Sequence, residues 1–311
     1  VNLIIKDQVI RYVVSTGSSF DDVIDYGERF FQENIIEDGK IINEKAFNAV
    51  LDRLIRDKKW KNKPLYFCVP DAAISIREQM VPKGLTKDEI KQYIMMELDE
   101  SIRLPFTNPA IDFEIIGEED EQTKILLFAY PKERLESYVN LFVNLGLKPI
   151  VADISSLSIF RLYFTLDLPS AKEHLLSVQW DKDSIVLTAF NQNKPVFTRY
   201  IKSSLDAGGW TWDVQENELI WSDKKISLEA YEEEQLTKVE RFMDFYQYSV
   251  MHGNDQITKV LLSGDYPYLE RVKALLSERF TGSIEYMALY EERFHAPGKY
   301  ADVVGLAIKK Y

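Results

Sequence analysis

The same figure is drawn twice along this chain. The first stretch, "VNLIIKDQVIRYVVS", carries apolar runs at Leu3–Ile5 and Val9–Val14 around Lys6-Asp7-Gln8. It reads as a β-hairpin with a very short turn. The second, "EHLLSVQWDKDSIVLTAFNQNKPVFTRYI", again sets two apolar runs about a short acidic turn, and a third strand follows. At 311 residues the chain is long for a single hydrophobic core. That length predicts two domains or one large bilobed body, and two halves that open alike suggest an ancient duplication.

Between the two openings lies a different pattern. Asn43 caps a helix whose apolar residues Phe47, Val50, Leu51, Leu54 and Ile55 fall at helical spacing, and "PLYFCVP" follows as a buried strand. From Ala73 to about Ile150 the order is strand, helix, strand, strand, helix, strand. Thr86 and Glu89 form a capping box. The helix behind it carries Ile90, Ile94, Leu98 and Ile102 on one stripe, with Tyr93 beside them. "ERLESYVNLFVNLG" is a second helix, closed by Gly146. This reads as a small α+β subdomain inserted into a larger one. Later, a long helix runs from about Leu228 to Met251. In "KVLLSGDYPYLERVKALL" an apolar run stops at Ser263-Gly264 and an amphipathic pattern follows at once. Strand, tight turn and helix in that order often place a ligand at the helix N-terminus.

Composition excludes several classes of function. A formal charge of −12 argues against nucleic acid and against an anionic membrane surface. Cys68 lies in an apolar run and reads as a buried, inert thiol. His174, His252 and His295 stand far apart, so no zinc site is expected. No apolar run approaches the ~20 residues of a membrane helix, and Val1-Asn2 leads directly into strand-like sequence. The expected compartment is the cytoplasm, with any membrane attachment supplied by a partner.

Six segments in order carry a family resemblance: "IIEDGKIINEKAFNAVL", "LPFTNPAIDFEIIGE", "LFVNLGLKPIVADISSLSIFRLY", "VERFMDFYQYS", "KVLLSGDYPYLERVKALL" and "DVVGLAIKKY". With them the chain resembles PilM, the FtsA-like protein of type IV pilus assembly in the actin-like ATPase superfamily. The resemblance implies an α/β, actin-like (RNase H-like) two-lobed ATPase fold with an inserted α+β subdomain. It divides the chain into residues 1–72 with 151–170 as the first lobe and 73–150 as the insert. Residues 171–311 form the second lobe, with a smaller subdomain at about 203–250. It also implies a scaffold that binds the cytoplasmic N-terminal tail of a PilN-like inner-membrane protein, at the inner face of the cell membrane. The alternative is an ATP-binding switch of the same machinery with an atypical cleft.

In that superfamily glycine-bearing hairpin turns close backbone N–H groups on phosphate, and aspartates position magnesium. Here the first turn keeps Asp7 but has no glycine. In the second, the family's aspartate falls on Gln179 and its glycine on Asp181, with Asp183 beyond. A Gly-Gly pair falls on Ser203-Ser204 behind Arg199, and another falls on Gly264-Asp265. A carboxylate about 4 Å from a phosphate oxygen costs up to ~4 kcal/mol at an effective dielectric of 20. Asp7, Gln179, Asp181, Asp183, Gly264 and Asp265 therefore mark a degenerate nucleotide cleft, with no cofactor, no metal and no ATPase activity expected. A kinase-like phosphotransferase is disfavoured, because no general base stands beside a glycine-rich phosphate loop. Tyr93, Leu104 and Phe106 are the expected walls of a partner groove. Trp210, Trp212 and Trp221 form either a contact surface or a small local core.

Overall fold

The computed structural model describes residues 1–31, 35–98, 100–170, 172–205, 207–213 and 218–310. β1 (Asn2–Ile5), β2 (Val9–Ser15) and β3 (Val23–Phe30) form an antiparallel meander. The short strands β4 (Ile36–Glu37) and β5 (Lys40–Ile41) meet at Asp38-Gly39, whose φ values of +48° and +71° suit a two-residue hairpin. α1 (Glu44–Lys58) starts where the Asn43 side chain accepts the Ala46 N–H. β6 (Pro64–Cys68) then runs parallel to β1.

The insert follows as β7 (Ser75–Pro82), α2 (Lys87–Glu97), β8 (Pro109–Glu119), β9 (Gln122–Pro131) and α3 (Lys132–Asn144). Its three-stranded sheet has the order β7-β9-β8. The Thr86–Glu89 capping box is present, but α2 ends at Glu97. Leu98 is already extended and forms an isolated bridge with Ile102. Ile102 still reaches the same core as Val81, Ile90, Ile94 and Leu127, so the four-residue stripe is a helix plus a turn. β10 (Lys148–Asp153) returns to pair with β6, and α4 (Ser155–Thr165) crosses to the second half.

That half contains β11 (His174–Trp180), β12 (Ser184–Asn191) and β13 (Lys194–Lys202), another antiparallel meander. After it come the hairpin β14 (Trp210–Asp213) with β15 (Glu218–Trp221) and α5 (Leu228–Phe245), which widens into a π turn at Tyr246–Val250. β16 (Lys259–Ser263), α6 (Leu269–Arg279), β17 (Ser283–Tyr286), α7 (Glu291–Phe294) and α8 (Ala301–Ala307) complete it. The two large sheets read β3-β2-β1-β6-β10 and β13-β12-β11-β16-β17. Both are an antiparallel meander whose first strand pairs in parallel with the next strand of its sheet. One order used twice is what the paired openings predict.

A shared apolar cluster joins the halves at their base. Ile4, Val13, Leu162 and Tyr163 meet Leu175, Leu261, Val303 and Leu306 there, and α8 packs against β1, β2, β6 and α4. Trp210 and Trp221 lie edge to face at 5.2 Å, and Trp210 also meets Tyr266 over the second-half core. For these two the local-core reading holds, while the Trp212 side chain lies outside the described residues. No described helix is long and apolar enough to cross a membrane.

Candidate functional site

The parallel strands of both sheets end on the same side, where open α/β sheets bind ligands. Beyond β1 stands the turn Lys6-Asp7-Gln8, closed by the Lys6 N–H donating to the Val9 carbonyl at 2.9 Å. Beyond β11 stands Asp181-Lys182-Asp183, closed by the Asp181 N–H donating to the Ser184 carbonyl at 2.8 Å. Gly264-Asp265 follows β16. The residues between these three points are charged and buried.

Lys6 reaches across to Asp181, and its Nζ lies 3.5 Å from Asp302 at the start of α8. Arg11, central in β2 and 1% exposed, pairs with Asp265 and, at 3.3 Å, with Glu28 on β3. Asp265 accepts further bonds from Lys182, 2.6 Å from Nζ and 2.9 Å from its backbone N–H. The Asp265 N–H in turn donates to Asp181 Oδ1 at 3.0 Å. The Lys182 ammonium also lies 5.3 Å from the centre of the Phe30 ring at the end of β3. Two cations of the first half thus enter the acids of the second.

The pKa shifts reflect this mixture. Burial works against the charged forms of Lys6 and Arg11, but facing carboxylates outweigh it, Asp181 for Lys6 and Asp265 for Arg11, and both pKa values rise. Burial likewise opposes the Asp265 carboxylate, yet Arg11 and Lys182 hold it well below the usual range. At Asp181 burial dominates over Lys6 and raises the carboxyl to about 6. Asp71, which accepts the Ser155 hydroxyl at 2.5 Å, is raised to about 6 by burial against the pull of Lys6.

The remaining expected residues have separate tasks. Asp7 turns away from the network and accepts the backbone N–H groups of Asp38 and Gly39 at 2.8 and 3.0 Å. Gln179 is buried and accepts from Ser155 at 3.2 Å. Asp183 accepts the Ser184 hydroxyl at 3.0 Å, and its pKa is raised by burial and by Asp181. Gly264 holds φ at +129°, and a Cβ there would fall against the Trp180 carbonyl, so the backbone requires glycine. Among the described residues, no three His, Cys, Asp or Glu side chains come together as a metal site.

Two sequence expectations change here. Asp265 is not a free acid facing the cleft; its charge is met by Arg11 and Lys182. The helix after β16 begins only at Leu269, so Gly264-Asp265 lies in a loop and not at a helix N-terminus. Sequence reasoning also passed over the cations. Arg11 had a signal: an arginine inside "VIRYVV" must be buried, and a buried charge needs a partner.

A second concavity, of about 680 Å³, lies between the insert and the first half. Gly39, Lys40 and Ile41 form one wall, and Phe106, Pro131 and the first turns of α3 form the other. The Tyr138 hydroxyl donates to the Gly39 carbonyl at 3.1 Å and Arg134 to the Asp38 carbonyl at 3.2 Å. Of the three expected groove residues only Phe106 lines this space. Tyr93 packs on the insert's own core, and Leu104 is half-buried outside the lining.

Two like-ordered sheets with charged turns facing each other beyond the strand ends make this an actin-like, two-lobed α/β protein. A family model described as type IV pilus assembly protein PilM matches residues 14–203. The structure is similar to a chain of the PilM-PilN type IV pilus biogenesis complex, at 16% identity, with 99% of this chain and 98% of that chain covered and a TM-score of 0.76. It is also similar to the ethanolamine utilization protein EutJ of Carboxydothermus hydrogenoformans, at 11% identity, 99% and 88% coverage and a TM-score of 0.52. The chain belongs to the PilM family of type IV pilus assembly proteins.

Proposed function

We propose that this PilM-family chain is a scaffold of pilus assembly, or of a related secretion or competence machine, that works without bound nucleotide. In this reading it captures the cytoplasmic tail of a PilN-like membrane protein and reaches the inner face of the cell membrane through that partner. The observation that carries the nucleotide half is the ion network: Lys6 and Arg11 pair with Asp181 and Asp265 where the two hairpin turns face each other. A phosphate entering there would have to displace buried, hydrogen-bonded pairs, and breaking such a pair costs about 3–5 kcal/mol. The turns also lack the glycines that would offer bare backbone donors.

For the tail, the favoured seat is the groove between insert and first lobe. An extended apolar peptide gains specificity there from pockets such as the one walled by Phe106 and Ile41. A labelled peptide of the cognate PilN N-terminus should bind, and Phe106→Asp should weaken it by about 2 kcal/mol or more, as for a central aromatic anchor. Equal binding by wild type and variant in a fluorescence titration would rule out this groove.

The ATP-switch reading has one observation in its favour. A cavity of about 240 Å³ opens beside Gly264 and is lined by Tyr266, Tyr286, Met287 and Lys299. It is smaller than the ~300–1,000 Å³ usual for ligand sites.

A further inference from the structure

We propose that Asp7 is a positioning residue for the tail groove: its carboxylate holds the Asp38-Gly39 turn in the shape that forms the groove's first-lobe wall. The inference rests on the groove reading above and assigns a task to an acid that the sequence had placed at a phosphate turn.

The turn is an awkward piece of backbone. Asp38 and Gly39 both hold positive φ, and only two short strands of two residues each flank them. A two-stranded ribbon of that length has little stability of its own. All four backbone polar groups of its two central residues are nevertheless engaged from outside the hairpin. Asp7 accepts both N–H groups, while Arg134 and Tyr138 of α3 donate to the two carbonyls. A carboxylate bridging two neighbouring N–H groups is a charge-assisted, bidentate clasp, stronger than neutral hydrogen bonds. Gly39, held by this clasp, and Lys40 and Ile41, which follow it directly, line the groove that Phe106 also lines. Glycine is also required at 39, where a Cβ would strike the Pro70 side chain.

One end of the groove is therefore set from the interlobe turn. Asp7 sits between Lys6, which reaches Asp181, and the β4–β5 hairpin, which also meets Lys202 of β13 through Glu37 and Asp38 at 3.3 and 3.2 Å. With the hairpin pre-shaped, a bound tail orders less backbone on arrival, and affinity gains by that saving.

The test uses the full chain and a fluorescently labelled peptide of the cognate PilN N-terminus. Asp7→Ala should lower affinity by about tenfold or more through a faster dissociation rate, the ratio that about 1.4 kcal/mol produces. Amide exchange at Asp38 and Gly39 should speed up in the same variant. Asp7→Asn, which keeps one acceptor, should fall between Ala and wild type. Val239→Ala, in the second-lobe core, provides a variant of lowered melting temperature whose peptide affinity should stay at the wild-type value. If Asp7→Ala folds, retains Gly39 protection and binds the peptide as wild type does while Phe106→Asp does not, the inference is overturned and the groove stands. If Asp7→Ala loses no more affinity than Val239→Ala at equal stability, Asp7 supports the fold only, and the inference is again overturned. Should Phe106→Asp also bind normally, the groove reading itself fails.

Discussion

The turn after β1 and the turn after β11 occupy the same place in two sheets of the same order, yet they do opposite things. The first sends out a cation, Lys6, and turns its acid, Asp7, back into its own lobe. The second sends out acids: Asp181 faces Lys6, and Lys182 is drawn aside to Asp265. Apolar strands flanking each turn decided that both halves would fold alike. What stands in the turns decided the sign of each side. One architecture repeated with complementary charges produces a cleft whose walls bind each other.

The hardest way to break that pairing is to remove Arg11. Arg11→Met leaves Asp265 with Lys182 as its ion-pair partner among the described residues, and Glu28 with Lys299, 2.5 Å away. Removing one member of a buried pair typically costs about 3–5 kcal/mol, a large share of the stability of a domain. Urea unfolding should show that loss as a lower midpoint. A change under ~1 kcal/mol would mean the pair is better solvated than its burial indicates.

A smaller effect separates the acids by pH. Asp71 and Asp181 titrate near 6 in the folded chain and near 3.9 when unfolded. Between those values the folded form holds more protons, so their contribution to stability falls as pH rises through about 6. Asp265, held well below its ordinary range, has the reverse sign. Its stabilisation is complete above about pH 4 and is lost only as the pH falls further. Melting curves should therefore show a decline from pH 5 to 7.5, and Asp71→Asn should flatten part of it. An unchanged slope in that variant would remove Asp71 as a source.

Much of the fold was legible because it rests on period and capping. The two hairpins, the Asn43 cap and the Thr86–Glu89 box each follow from local chemistry. The end of α2 was not, because Ile102 reaches its core through a turn that happens to continue the helical spacing. In the site, the acids Asp181 and Asp265 were legible and their partners were not. Whether a lysine in a hairpin turn faces water or another lobe depends on what lies across the cleft, which no local pattern encodes. Arg11 was the exception, since a strand with both faces buried leaves its guanidinium no route to water. The Asp38-Gly39 turn also carried a signal, passed over in the sequence reading: Asp-Gly between short apolar runs strongly favours a hairpin. Its link to Asp7 is a contact between residues 31 apart in sequence and needed the structure.

The central claim is that the two turns hold each other across the cleft, so that Mg-ATP finds no seat between them. Its most direct test is the melting temperature of the unmodified protein across a Mg-ATP titration, because any ligand that binds only the folded form must raise it. The account predicts a flat line into the millimolar range. A saturable rise, reproduced with Mg-ADP and absent with magnesium alone, would contradict it.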